Sequence, residues 1–442
     1  MHSRLPIIEL ATVGMSFLFV SCGGGSLTSD LSHLADFVEY NKQSAQVCLS
    51  DTVDLYVDYS TCVAEAKYSD YYKALHPSIV DCSPVFYSIK GRNIKKETDN
   101  RQHVYQLLSD IREVNNADIK RAVQMIVRNN HQAVLITDGE YYMGGSVRDN
   151  LNNPYLAEEF RAWIEKGHDI YFYCEPYTES GRFSKTRFYI LFTDDDLANN
   201  IHDRIDRSAP KNSRVTKFHM SDGRFGISFS ENYPDINVSL SPSENTGRTG
   251  GLDVQEYLIS WKDMYRYLMG GDIDQTYVLR GLFVDNTESD SYKIEEVKPV
   301  VYQISEEYQA YCDSVYMEKM PKVVRKFRKV EDVFEIDDEI FEETGEIVLK
   351  LDDDFDGVGN TLSYDHPNLL RVDFVVSEAE DNFSDNSSLN SAFKWQSISA
   401  ANGHAENTSI YQSISLVLKD PDMNPEKREV VLYTVYLSTM SL

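Results

Sequence analysis

The sequence predicts an α/β doubly wound domain followed by an antiparallel β-sandwich-like domain. Two short apolar runs, one inside Asp54–Thr61 and one inside Ala133–Glu140, each end on a carboxylate beside Ser, Thr or Gly. Such runs alternate with helical patterns as far as Ser208, the mark of a parallel sheet with crossovers. From about Gln275 the period switches to two, with turn signals at short intervals. In an open parallel sheet ligands bind beyond the carboxyl ends of the strands, which places Asp58 and Asp138 on one rim.

Residues 1–21 read as a secretory leader. Arg4 gives a weakly basic start, and Leu10–Val20 is an apolar run too short to span a bilayer. It ends in Val20-Ser21-Cys22-Gly23-Gly24-Gly25-Ser26, which resembles a bacterial lipobox. The resemblance implies cleavage before Cys22 and a diacylglycerol- and palmitate-bearing anchor on that residue. The alternative is an ordinary leader with an incidental Cys. Residues 22–50 read as a tether with a helical patch around Leu31–Val38. Envelope location follows, at the outer rather than the inner membrane, and the absence of an acidic cluster right after Cys22 favours its periplasmic face.

Residues 51–208 form the first expected domain. After the strand ending at Asp58 comes a helix over Val63–Leu75 stopped by Pro77, then a strand over Pro84–Lys90 and a helix over His103–Ile111. Asp118 is placed to cap the clearest helix, whose Ile119, Ala122, Val123, Ile126 and Val127 share one face. The strand ending at Asp138 follows. A Gly144-Gly145 loop leads to a helix with Leu156, Phe160, Trp163 and Ile164 on one face. Strands over Ile170–Cys174 and Arg187–Thr193 and a helix striped by Leu197, Ile201 and Ile205 complete the unit.

The turn Asp58-Tyr59-Ser60-Thr61-Cys62 and the later Thr137-Asp138-Gly139 resemble the von Willebrand factor type A domain. That resemblance covers under half the chain. It implies a metal-ion-dependent adhesion site holding Mg²⁺ through Asp58, Ser60 and Asp138, with Asn116 or Asn115 lending an amide oxygen. Cys62 stands where the family has a second Ser, and sulfur is a poor Mg²⁺ ligand. The alternative is a metal-free scaffold whose Asp58 and Asp138 cap strand-end turns.

Residues 209–274 read as a connecting region. It holds a hairpin over Lys217–Phe229 around Ser221-Asp222-Gly223 and a helix carrying Val254, Tyr257, Leu258, Trp261, Tyr265 and Leu268. Residues 275–442 carry the expected strands Tyr277–Val284, Val300–Ile304, Val333–Ile336, Ile347–Leu351, Leu369–Val376, Ala392–Ile398, Ile410–Leu418 and Val430–Leu437. Lys319–Lys329 is a basic patch, read as a charge-balancing surface, and Glu335–Glu346 an acidic loop. Asp352, Asp354 and Asp356 before Gly357 match the opening of a Ca²⁺ loop. Ser363 stands where an EF-hand needs Glu, so an acidic hairpin tip is the competing reading.

The 442 residues carry a net charge of −28, which disfavours nucleic acid and anionic lipid as partners. The six cysteines include no CxxC pair, so neither a zinc knuckle nor a redox motif is indicated. No GxSxG, HExxH, Walker loop or strand-linked GxGxxG is present. The expectation is therefore a membrane-tethered, non-enzymatic module that binds an envelope protein partner, with a metal-independent structural scaffold of an envelope assembly as the alternative and an envelope hydrolase as the third reading.

Overall fold

The computed structural model describes residues 31–41, 49–111, 117–141, 151–181, 183–195, 197–211, 214–223, 225–231, 233, 253–257, 277–287, 290–352, 368–396 and 406–439. Its first part runs α1 (Leu34–Asn41), β1 (Ser50–Asp58), α2 (Thr61–Ala66), α3 (Asp70–Asp81), β2 (Val85–Lys90), β3 (Asn93–Thr98), α4 (Arg101–Ser109), α5 (Ile119–Asn129), β4 (His131–Thr137), α6 (Ala157–Ile164), β5 (Asp169–Glu179), β6 (Phe183–Thr193), α7 (Ile201–Asp206) and β7 (Thr216–Met220).

Strands β1–β7 make a seven-stranded sheet in the order β3-β2-β1-β4-β6-β5-β7. Side chains alternate along each strand, so the two faces build two cores. Tyr56 and Leu135 pack with Ile119, Val123 and Ile126 of α5 and Phe160 and Trp163 of α6. Leu55, Val57, Val134 and Ile136 pack with α2, α3, α4 and α7 on the opposite face. Helices on both faces of a mixed sheet make this part α/β, as expected.

The sheet is not parallel throughout. Strands β1, β2 and β4 are parallel, but β6 runs antiparallel to β4, and β5 is antiparallel to both β6 and β7. The reason is local. The strand beginning at Ile170 continues past Pro176 to Glu179 and reverses at Ser180 and Gly181, both at positive φ, so no crossover separates β5 from β6. Pro176 is tolerated because β7 pairs with β5 only over Ile170–Cys174.

Other expectations are corrected in the same way. The helix over Val63–Leu75 is two helices, because Ser69 caps α3 by accepting from the Tyr72 amide, and Pro77 lies inside α3. The polar stretch after Gly91 forms the edge strand β3. Residues 34–41 of the tether are a docked helix, with Leu34 and Phe37 buried against Ile304, Tyr308, Leu369 and Tyr436.

The remaining elements are β8 (Gly226–Phe229), β9 (Asp253–Tyr257), β10 (Tyr277–Asp285), β11 (Tyr292–Gln303), α8 (Ser305–Tyr316), β12 (Arg328–Val330), β13 (Phe334–Ile336), α9 (Asp338–Thr344), β14 (Glu346–Leu351), β15 (Asn368–Asp381), α10 (Ser387–Asn390), β16 (Trp395–Gln396), β17 (Glu406–Asn407), α11 (Ser409–Leu418) and β18 (Val431–Thr439). They form separate sheets, β13-β14-β10-β8 and β12-β11-β15-β18-β9, plus the β16-β17 pair. All pairings in them are antiparallel except β9 with β18.

The expected hairpin over Lys217–Phe229 does not form, because β7 joins the first sheet and β8 pairs with β10. The helix expected from Val254 begins instead as strand β9, and its later residues lie outside the described ones. Ser391–Phe393 is a helical turn, leaving only Trp395–Gln396 of the strand expected over Ala392–Ile398. Part of the acidic run is helix α9, whose N-cap Asp337 accepts from the Ile340 amide. No described helix is long and apolar enough to cross a membrane.

The decisive correction is Ile410–Leu418, which is helix rather than strand. Ile410, Ile414, Val417 and Leu418 are buried at helical spacing in the core shared with α6. The Ser413 hydroxyl accepts a bond from the Leu156 amide at the start of α6 (3.2 Å). Phe383, Phe393 and Trp395 lie nearby, with rings 4.6 Å from Phe218, 5.6 Å from Phe172 and 5.3 Å from Phe188 respectively. The C-terminal part thus covers one face of the first sheet beside α6.

Gly139, directly after β4, has φ +69°, and a Cβ there would lie 2.9 Å from Ile410 Cγ1. Gly139→Ala should therefore lose about 1–3 kcal/mol in urea denaturation, through strain and overpacking together. A double-mutant cycle with Ile410→Val should show coupling of ~0.5 kcal/mol or more. Wild-type stability of Gly139→Ala would mean that the loop does not depend on α11.

Candidate functional site

The carboxyl ends of β1 and β4, the start of β6 and the end of β5 meet on one rim. The register fixes this: Thr137 lies opposite Phe188, Glu175 opposite Arg187, and Tyr177 opposite Lys185. Asp58 and Asp138 do share the rim, and both are buried. Asp58 Oδ2 accepts the Thr137 hydroxyl (2.9 Å), and Asp138 Oδ1 accepts the Glu140 amide (3.0 Å).

Asp58 Oδ1 and Ser60 Oγ are buried and bond to no third group, while the Ser60 hydroxyl and amide lie close enough to the Asp58 carboxylate to favour its charge. Ser60 is the N-cap of α2, where a Ser oxygen ordinarily accepts a backbone N–H of the first turn, yet it makes no such bond. No described cation lies within ion-pair distance of Asp58. Burial, followed by the Asp138 charge, pushes its carboxyl well above the usual range, against the bonds from the Thr137 hydroxyl and from the Ser60 hydroxyl and amide. Burial pushes the Cys62 thiol up, and sulfur is a poor Mg²⁺ ligand in any case.

A lysine that the sequence reading did not single out neutralises the other acids. Lys185 Nζ, on a side chain 2% exposed, lies 2.9 Å from Glu179, 3.1 Å from Glu140 and 3.7 Å from Asp138. Burial alone would lower its pKa, and the three carboxylates outweigh burial and raise it. Glu140 is pushed up to about 7 by burial and then by Asp138, with Lys185 opposing. Two residues along β6, Arg187 donates to the Cys62 carbonyl (3.1 and 2.8 Å) and to Glu175 Oε2 (2.8 Å). Glu175 also accepts the Tyr189 hydroxyl (2.7 Å) and the Ser69 hydroxyl. Arg187 therefore ties β6 to the backbone just after the Asp58–Ser60 turn.

Chemically, the rim is an excess of carboxylate over cation in a dry place. Asp58 Oδ1, the Ser60 hydroxyl and Asp138 are hard oxygen donors of the kind Mg²⁺ uses. Asn116 and Asn115, the expected amide donors, lie outside the described residues, as do Cys22, the Gly144-Gly145 loop, Asp354 and Asp356. Asp352 is described, and its amide donates to the Val333 carbonyl (3.1 Å).

The opposite rim holds a second cluster that the sequence reading missed. His219 Nε2 lies 2.9 Å from Asp169 and 3.9 Å from Asp195, and its Nδ1 lies 3.3 Å from Asp290. The ligand atoms of Asp169, Asp195 and His219 all fall within 4.8 Å of one another, close enough for one cation. Burial would lower the His219 pKa, but its bonds to Asp169 and Asp290 and the charges of Asp169 and Asp195 raise it to about 10. Tyr171 stacks between His202 (3.6 Å) and His219 (4.2 Å) and donates to Asp195.

The signal for the missed rim residues was available. Glu175, Tyr177 and Glu179, and then Lys185 and Arg187, recur at spacing two beside apolar runs, which puts polar groups on one face of each strand. The His219 cluster gathers residues from four separated segments and leaves no local pattern. No known protein family, curated protein or solved structure matches the chain.

Asp58 keeps its proton to higher pH folded than unfolded, so its contribution to stability is complete in acid. That contribution is lost as pH rises from the usual carboxylate range through the raised folded value. Asp58→Asn should flatten that fall and, in chelator, leave the protein at least as stable as wild type in mildly alkaline buffer. A large loss there would show that the ionised carboxylate is needed. Lys185→Met strands buried carboxylates and should cost about 3–5 kcal/mol in denaturant titrations, and a loss below 1 kcal/mol would argue that water reaches the cage.

Proposed function

We propose that this chain is an envelope lipoprotein, anchored at Cys22, that binds a protein partner at the rim formed by Asp58, Ser60 and Asp138. The reading is of a binding module rather than an enzyme. The observation that carries it is the buried pair Asp58 Oδ1 and Ser60 Oγ, which have no partner beyond the contact of Ser60 with Asp58, beside a second carboxylate. A Mg²⁺ bridged to a partner's carboxylate would use both atoms, as the resemblance to the von Willebrand factor type A domain implies. The strand-end placement of the three residues and the parallel β2-β1-β4 arrangement support that resemblance. The antiparallel β5–β6 hairpin is a departure from a parallel doubly wound sheet. The separate C-terminal sheets, read as sandwich-like, would act as spacer or second contact surface.

A second reading rests on Lys185. Its ammonium already balances Glu179, Glu140 and Asp138, which suits a metal-independent scaffold of an envelope assembly. Thermal melting of the full chain with Mg²⁺ or Mn²⁺ against chelator separates the two. Metal held only by the folded state at ~100 times its dissociation constant adds about 2.7 kcal/mol. The adhesion reading expects that rise in the wild type and its absence in Asp58→Asn. Identical curves with metal and chelator would remove the metal and leave the scaffold.

A further inference from the structure

The basic patch after α8 is more than a charge-balancing surface. Three residues pin the segment from Pro321 to Phe327 to the N-terminal helix α1. The Pro321 carbonyl accepts the Tyr40 hydroxyl (2.8 Å), the Val324 amide donates to Asn41 Oδ1 (2.7 Å), and Phe327 packs 6.1 Å from Phe37. Pinning every third residue turns those between them, Val323 among them, outward, and the stretch before the first pin is exposed as well. Tyr316 is 86% exposed, Met317 56%, Met320 88% and Val323 53%. Five of the ten exposed large apolar or aromatic side chains among the described residues fall between Val315 and Val323, so this is a patch and not scatter.

Cations are interleaved with them. Lys319, Lys322, Arg325, Lys326, Arg328 and Lys329 face one carboxylate, Glu318, between Tyr316 and Val330. All seven are exposed. Lys322, Arg325, Lys326 and Lys329 have no ion-pair partner among the described residues. Six positive charges against one negative is a local balance of +5 in a chain of −28.

We propose that this surface rests on an anionic lipid bilayer, with Tyr316, Met317, Met320 and Val323 entering the headgroup layer and the lysines and arginines meeting lipid phosphates. Large apolar side chains interleaved with long cationic ones are the chemistry of an interfacial surface, where the stems lie along the apolar boundary and the charged ends reach the headgroups. The overall negative charge does not forbid this. Screening confines charge effects to about 8 Å at physiological salt, so the patch governs at contact and the acidic remainder turns away. The placement rests on the lipid-anchor reading. Eleven residues lie between Cys22 and Leu34, and the twelve Cα steps, which span at most ~40 Å, keep a bilayer holding Cys22 within reach of the helix against which the patch is pinned.

The test is vesicle co-sedimentation of the full chain carrying Cys22→Ser, so that no acyl chain contributes. Phosphatidylcholine vesicles are compared with equimolar phosphatidylcholine–phosphatidylglycerol vesicles. The leader's own apolar run adds to both, so the readout is the ratio. The proposal expects tighter binding to the anionic vesicles, weakened by salt and lowered at least tenfold by K319E/K322E/R325E/K326E. Tyr316→Ser with Met320→Ser should also weaken it, with every charge intact and melting unchanged. Equal binding to both vesicle types, or undiminished binding by the charge-reversed variant, would overturn it. The patch would then be left to an acidic protein. Labelled-palmitate incorporation at Cys22 in cells separates the readings: loss of label with vesicle binding intact sinks the anchor alone, and label without vesicle binding sinks the patch alone.

Discussion

The rim depends on holding unlike charges together where water is scarce. Asp58, Asp138, Glu140, Glu175 and Glu179 converge there, and Lys185 and Arg187 are the two cations that make the arrangement tolerable. Both come from one strand, two residues apart, so they project from the same face of β6. They reach this rim only because β6 runs antiparallel to β4. A parallel β6 would carry Lys185 and Arg187 to the opposite edge and leave the carboxylates buried without a cation. The β5–β6 hairpin is thus an electrostatic requirement of the rim as well as a topological feature.

The far edge of the same sheet solves a similar problem differently. There one imidazolium, His219, sits between Asp169 and Asp290, with Tyr171 stacked on its ring. The charge balance there rests on the antiparallel β5–β7 pairing, because Asp169 begins β5 and His219 lies on its neighbour β7. Each rim places titratable groups at strand ends, where backbone pairing stops and side chains can converge.

The C-terminal part is not a passive appendage. Helix α11 packs beside α6, Ile410 reaches Gly139 just past β4, and Phe383, Phe393 and Trp395 sit against the aromatic face of β5, β6 and β7. Atoms supplied some 270 residues later in the chain therefore hold the conformation of the loop after Asp138. Helix α1 does the same at the other end of the sequence by fixing the basic segment that follows α8.

Much of the first part was legible because its signals are local. Asp118 caps α5, the Ile119–Ile126 stripe is buried, and the runs ending at Asp58 and Asp138 are central strands whose ends share a rim. Residue period and capping chemistry act over a few residues, so the sequence by itself determined these elements and the two carboxylates. It misled where a short apolar run fits two periods: Ile410–Leu418 reads as a strand by content and is a helix because α6 and the first sheet offer it an apolar surface. Strand direction, the arrival of Lys185 and Arg187 beside Asp138, and the gathering of His219 with Asp169 and Asp290 were decided only by the tertiary structure. Each depends on partners far apart in sequence, and the burial that makes their charges matter exists only once the chain has folded.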